Sequence, residues 1–294
     1  MENNIDQYFK SFLEYLAAQK QVSALTIQNY KFYLSRFNLL IQVKEPADIN
    51  IETVNKFREL LGQIRNQRGE LMKPVTQNYH LIALRAFLAY LKNLGLTVLG
   101  PETIILNKIG KNIISTVEPQ NIEKLLESPL HAKNPSLIQK RDKAILELLL
   151  STGLKVSELS ALKKGQIDFL KNSLTIRGLG DRLRTVELTN QAKYWIKQYL
   201  ESRQDNFPAL FIRHDKAKTK QLNKILPEAY QLTPRTIQRI IKKYAKAAQL
   251  DPGITPQTLR NSYAKYLLEK GEDIKTIQSI LGHASVVTTH LYTK

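Results

Sequence analysis

The sequence predicts two domains: an all-α N-terminal helical bundle, and a mainly α C-terminal domain with a small antiparallel β-sheet. Three observations predict this. Apolar residues in the first hundred positions recur with the 3.6-residue period of amphipathic helices. That period breaks at Gly100-Pro101 and over Asn107–Pro119, where Lys108, Gly110 and Lys111 suit a linker. Beyond the break, helical patterns resume but are interrupted by short alternating segments around Gly178–Gly180, as strands joined by a turn would be. The expected organisation is therefore a bundle over residues 1–106, a linker over 107–117 and a second domain over 118–294.

In chain order, Ile5, Phe9, Phe12, Leu13 and Leu16 mark the first helix, and Tyr30, Tyr33, Leu34 and Phe37 the next. Ile51–Ile64 is a further amphipathic stretch. Leu81, Leu84, Phe87 and Leu91 belong to a helix that starts after Pro74 and ends near Gly95. In the second domain, Leu137–Leu150 is strongly apolar and Ser157–Leu162 is a shorter helix. Asp168–Phe169, Leu174–Arg177 and Arg184–Leu188 are expected strands. Helices return at Gln191–Leu200, Pro234–Ala248, Pro256–Lys270 and Ile274–Leu281. There is no internal repeat and no low-complexity tract.

Composition narrows the function. Charged residues are 24% of the 294 and hydrophobic ones 43%, as in a globular protein. The absence of cysteine excludes disulfides, thiolate zinc sites, iron–sulfur clusters and a thiol nucleophile. No apolar run reaches the roughly 18 residues of a membrane span, and Met1-Glu2-Asn3-Asn4 lacks the basic start of a secretion signal. A cytoplasmic protein with no membrane partner is expected. Of the net charge of +18, +4 falls in residues 1–110 and +14 in residues 111–294. The cations are interspersed with apolar positions, as in Arg177-Gly178-Leu179-Gly180-Asp181-Arg182-Leu183-Arg184, so they mark folded faces. A polyanion is the matching partner.

One helix carries this furthest. Thr233-Pro234 supplies a cap and a first-turn proline. Arg235, Arg239, Lys242, Lys243 and Lys246 then share one face, with Ile237, Ile240, Ile241 and Tyr244 opposite. No acidic residue lies between Glu228 and Asp251 to balance them. Such a face suits the phosphates of duplex DNA.

The chemistry-bearing residues lie in the C-terminal stretch. Thr255-Pro256-Gln257-Thr258-Leu259-Arg260-Asn261 is followed by Leu281-Gly282-His283, and then by Thr289-His290-Leu291-Tyr292. Upstream stands Thr152-Gly153-Leu154-Lys155-Val156-Ser157-Glu158. Singly, a tyrosine packs, a histidine caps a helix and an arginine makes a surface ion pair; only the joint order and spacing of these residues is distinctive. Together they resemble the tyrosine site-specific recombinases, the Xer-like phage-integrase family, over nearly the whole chain. The resemblance implies a SAM-like core-binding bundle that clamps double-stranded DNA, and a catalytic domain that ends in a nucleophilic tyrosine. It also implies other recombinase protomers on the DNA and no small-molecule substrate. The family's phenol attacks a phosphodiester and forms a 3′-phosphotyrosine, which preserves bond energy, so neither metal nor nucleotide cofactor is needed. Guanidiniums stabilise the transition-state charge, a hairpin lysine protonates the departing 5′-oxygen, and histidine handles the phenol's proton.

Carried onto this sequence, the nucleophile is Tyr292, the L-G-H histidine is His283 and the second arginine is Arg260. The arginine of T-G-L-R-x-x-E is replaced by Lys155, the hairpin lysine by Leu179 and the histidine of His-x-x-Arg by Gln257; Asn261 stands where a second histidine is frequent. Lys155 loses the planar two-point grip, Leu179 has no proton to give, and Gln257 cannot shuttle one. Two missing acid–base roles cost on the order of 10⁴–10⁶ in rate, less if the roles are non-additive. Arg182 and Arg184 on the same hairpin are candidate phosphate contacts. The resemblance thus implies either impaired DNA cleavage and rejoining through Tyr292, or a silent DNA-binding subunit beside an active recombinase. A general architectural or RNA-binding role is a third class. Only Thr293 and Lys294 follow Tyr292, where family members carry a tail that packs on a neighbouring protomer. Truncation or a different assembly is the corresponding expectation.

Overall fold

The computed structural model describes residues 4–20, 22–110, 114–130, 135–178, 183–214 and 230–293. They fall into two units, residues 1–112 and 113–294. The expected class, helical bundle plus a mainly helical domain with a small antiparallel sheet, is the class observed.

In the first unit the helices are α1 (Ile5–Ala18), α2 (Ala24–Ile41), α3 (Ile51–Gln63) and α4 (Pro74–Asn93). Local chemistry starts each one. The side chains of Asn4, Ser23 and Asn50 accept N–H groups of the first turns, and Pro74 opens α4. Their apolar stripes meet in an aromatic core, with Phe87 packed 4.7 Å from Phe9 and 5.6 Å from Phe12, centroid to centroid. Buried His80 donates through Nδ1 to the Thr76 carbonyl (2.9 Å) and accepts at Nε2 from Arg36 (3.2 Å), so it is a neutral structural histidine.

The second unit holds α5 (Pro119–Glu127), α6 (Leu137–Thr152), α7 (Val156–Ala161), β1 (Ile167–Asp168), β2 (Ser173–Arg177) and β3 (Leu183–Glu187). It continues with α8 (Asn190–Glu201), α9 (Pro234–Ala247), α10 (Pro256–Glu269), α11 (Ile274–Leu281) and α12 (Val286–His290). The sequence pattern did not disclose α5 and α12. α6 is the central helix: every residue from Arg141 to Leu149 is buried. Its charged members stay buried because they are paired, Arg141 with Asp142 at 2.7 Å and Lys143 with Glu147 at 2.9 Å.

The sheet runs β1-β2-β3, antiparallel throughout. Leu174 pairs with Val186 and Ile176 with Arg184. Cross-strand partners share a face, and Leu174, Ile176 and Val186 are buried. Arg184 therefore stands on the inward face of β3, beside the core.

Candidate active site

Two glycines make the site possible. α6 ends at Gly153 and α11 at Gly282, both in the left-handed conformation (φ 58° and 66°). At Gly153 a Cβ would lie 2.6 Å from the Tyr263 ring and 2.7 Å from Leu281 Cδ2, and at Gly282 it would lie 2.8 Å from Arg184 Nη1. Both positions thus need glycine for backbone and for space.

The last carbonyls of a helix have no partner within the helix and carry the negative end of its dipole. At the end of α11 three successive carbonyls each receive a different cation. Arg184 Nε donates to Ile280 O (2.9 Å), Arg260 Nη2 to Leu281 O (2.7 Å) and Lys155 Nζ to Gly282 O (3.4 Å). Arg260, from α10 and only 2% exposed, also donates through Nη1 to Gly153 O at 2.5 Å, so it ties the ends of α6 and α11 together. Glu158 in the first turn of α7 accepts the Lys155 backbone N–H (2.8 Å) and both Nη groups of Arg184 (2.8 Å each). This fork-on-fork pair holds Glu158 below the usual carboxylate range against the opposing effect of burial. Burial also lowers the pKa of the Lys155 ammonium, as do, more weakly, its cationic neighbours Arg260 and Arg184, while Glu158 raises it.

His283 follows Gly282. Its Nδ1 lies 2.9 Å from the buried Thr289 Oγ1. Burial, then the charges of Arg260, Lys155 and Arg184, push its pKa down to about 4, so the imidazole is neutral at pH 7. Tyr292, in the turn after α12, stacks on His283 with centroids 6.0 Å apart and planes at 17°. Its hydroxyl donates to Asn261 Oδ1 at 3.2 Å. Burial raises the phenol pKa, and the Arg260 guanidinium beside it pulls the other way.

Arg260, His283, Tyr292 and Lys155 are thus brought together. Gln257 is exposed at their edge and donates to the same Asn261 Oδ1 (2.9 Å). Arg184, expected from sequence as a DNA contact, has its guanidinium engaged by Glu158 and Ile280 O, with the side chain 12% exposed. Leu179 and Arg182 lie outside the described residues. Arg235, Arg239, Lys242, Lys243 and Lys246 are all exposed along α9, and none forms an ion pair with another described residue. Thr289, which orients His283, had no signal of its own in the sequence; Glu158 and Arg184 stand in motifs there, but not as a pair. The alternation of Arg184 with inward Val186 was the available clue to that pair.

A hollow of about 720 Å³ opens on this cluster, lined by Lys155, Arg184, Lys275, Gln278 and His283 among others. Its cations suit a phosphate. Arg260 and Tyr292 are not among its lining residues. A second hollow, about 460 Å³, carries Glu118, Glu123, Glu147 and Glu269 against Lys265, the wrong sign for a polyanion. Among the described residues no three His, Asp or Glu side chains cluster as metal ligands, and no helix is long and apolar enough to cross a membrane.

Comparison with known proteins places this geometry in context. The phage integrase family matches residues 115–294, and the phage integrase N-terminal SAM-like domain matches residues 9–95. Tyrosine recombinase XerC of Thermodesulfovibrio yellowstonii is 32% identical over 99% of this chain and 92% of its own length. Tyrosine recombinase XerA of Pyrococcus furiosus is 32% identical over 100% and 90%. Among solved structures, the XerH recombinase in its post-cleavage complex with a palindromic difH substrate superposes with a TM-score of 0.70. It is 20% identical, covering 93% of this chain and 77% of that one, a likeness of fold.

Proposed function

The chain belongs to the phage integrase family of tyrosine recombinases, and from that premise we propose that it binds duplex DNA and cleaves it slowly through Tyr292. The observation that carries this reading is the convergence of Arg260, His283 and Tyr292, separated by 23 and 32 positions in sequence, at one helix end beside a cationic hollow. In the proposed step the Tyr292 oxygen attacks phosphorus as its proton passes to His283 Nε2, the 5′-oxygen leaves and takes a proton from water, and a 3′-phosphotyrosine holds the strand until a 5′-hydroxyl reverses the exchange. Arg260 and Lys155 stabilise the charge on the phosphate oxygens. Neutral His283, with Nδ1 occupied by Thr289, presents Nε2 to the reaction.

Rate is limited by what is missing. Lys155 offers a point charge where a guanidinium would grip two oxygens. Leu179 has no proton for the leaving oxygen, and Gln257 bonds to Asn261. The test is a duplex nicked beside the scissile phosphate, so that cleavage traps a covalent adduct. We expect a slow adduct, absent in Tyr292→Phe and faster in Lys155→Arg, by about tenfold for each 1.4 kcal/mol of transition-state stabilisation regained.

A second reading, a silent DNA-binding subunit beside an active recombinase, is favoured by the hydrogen bond that occupies the Tyr292 phenol. It predicts tight, salt-sensitive DNA binding with no adduct in either wild type or Lys155→Arg. Loss of duplex binding altogether overturns both.

A further inference from the structure

Asn261 takes part in three hydrogen bonds, and together they fix which way round its amide stands. Nδ2 lies 3.0 Å from the backbone carbonyl of Ser115, which can only accept. The NH₂ end must face Ser115, so the oxygen faces the other way. There Oδ1 receives the Gln257 amide at 2.9 Å and the Tyr292 hydroxyl at 3.2 Å. Asn261 is itself 8% exposed, and Val117, two residues beyond Ser115, is tied to the same helix by its N–H donating to Ser262 Oγ at 2.8 Å.

We propose that Asn261 is a positioning residue for Tyr292: its carbonyl end, oriented by the Ser115 carbonyl, holds the phenol together with its proton in the resting site. A carbonyl oxygen stabilises O–H and repels O⁻. An ionised phenol at this place would face an acceptor it cannot bond, so Tyr292 must leave Asn261 as it gives up its proton. The titratable groups facing the phenol are Arg260, which favours the phenolate, and His283, stacked on its ring and neutral. Tyr263 packs against the same apolar cluster. Arg260 and Asn261 are adjacent on α10 and act in opposite directions on one oxygen. Where the family pattern frequently has a histidine that could accept the proton, this chain has a group that only holds it.

This inference rests on the reading of Tyr292 as nucleophile, yet its test needs no cleavage, so the two can fail separately. Full-length protein is prepared with a ring-fluorinated tyrosine at position 292, whose phenol ionises in a pH range the fold tolerates, and is titrated without DNA by fluorine NMR. Asn261→Ala should lower the ionisation midpoint by about half a unit to one unit, the worth of one hydrogen bond to the neutral form. Asn261→Asp, a stronger acceptor carrying a charge, should raise it by at least as much. A loosened fold would move both variants in the same direction. Opposite shifts support the assignment; unchanged midpoints, or shifts of the same sign, overturn it.

Discussion

α9 and the end of α11 are both rich in cations, and they use them in opposite ways. Along α9 five basic side chains are exposed and form no ion pair with another described residue, while Ile237, Ile240, Ile241 and Tyr244 bury the other face. At the end of α11, Arg184, Arg260 and Lys155 satisfy three consecutive carbonyls, and Arg184 neutralises Glu158. Among the described residues, the first set meets only side chains of its own helix, Arg239 reaching Thr236 and Lys243 reaching Tyr244. The second set is part of the framework that positions Tyr292 and His283. Net charge alone does not separate the two; the partners do.

Arg260→Ala separates the two sets most strongly. It would leave the buried carbonyls of Gly153 and Leu281 unpaired, and should lower unfolding free energy by about 3 kcal/mol in a denaturant titration. Arg239→Ala on α9 should leave the unfolding midpoint unchanged. Equal effects would mean that the guanidinium at the end of α11 is no more structural than one on the surface.

The converse effect is on DNA. Replacing Arg239, Lys242, Lys243 and Lys246 by glutamine should weaken duplex binding about 100-fold at fixed salt. The slope of log affinity against log salt should fall by about 3.6, since each lost phosphate contact removes about 0.9. Stability should stay as it was. An unchanged slope would show that this face meets no phosphate and that the cations of α9 only solvate the helix.

The same contrast explains what could be read from sequence. α9 was legible because its apolar and basic residues alternate with a helical period and its cap is local. α6 was legible because Ala144–Leu150, broken only by Glu147, forms an apolar run that follows Leu137 and Ile138. α5 was not: Ile122, Leu125 and Leu126 are too few to show a period in nine residues, and α12 spans only five. In the site, the spacing of Arg260, His283 and Tyr292 was visible, but what each touches depends on carbonyls and side chains far away in the chain. In sequence Arg184 stands beside Arg182 as a hairpin cation suited to phosphate, but its place opposite Ile176 and two residues before Val186 puts it inward. Asn261 was visible as a departure from a pattern, while its function needs Ser115, 146 residues away.

The cations at the end of α11 also act on a titrating neighbour, with a modest effect on stability. His283 has its pKa depressed to about 4, by burial first and then by Arg260, Lys155 and Arg184, whereas an unfolded histidine titrates near 6.5. Between those values the unfolded chain binds a proton that the folded one refuses, so the stability from His283 is complete above about pH 6.5. It is lost as pH falls toward 4. Because the ring is only partly buried, screening reduces the full linkage to about 1–2 kcal/mol. Unfolding free energies of wild type and His283→Gln, compared at pH 7 and pH 4.5, isolate this contribution, since His80 and the carboxylates are common to both proteins. The wild type should lose more stability on acidification than the variant. Parallel losses would mean that the cations at the end of α11 do not reach His283, and that this region, like α9, carries charge without coupling it to the groups around it.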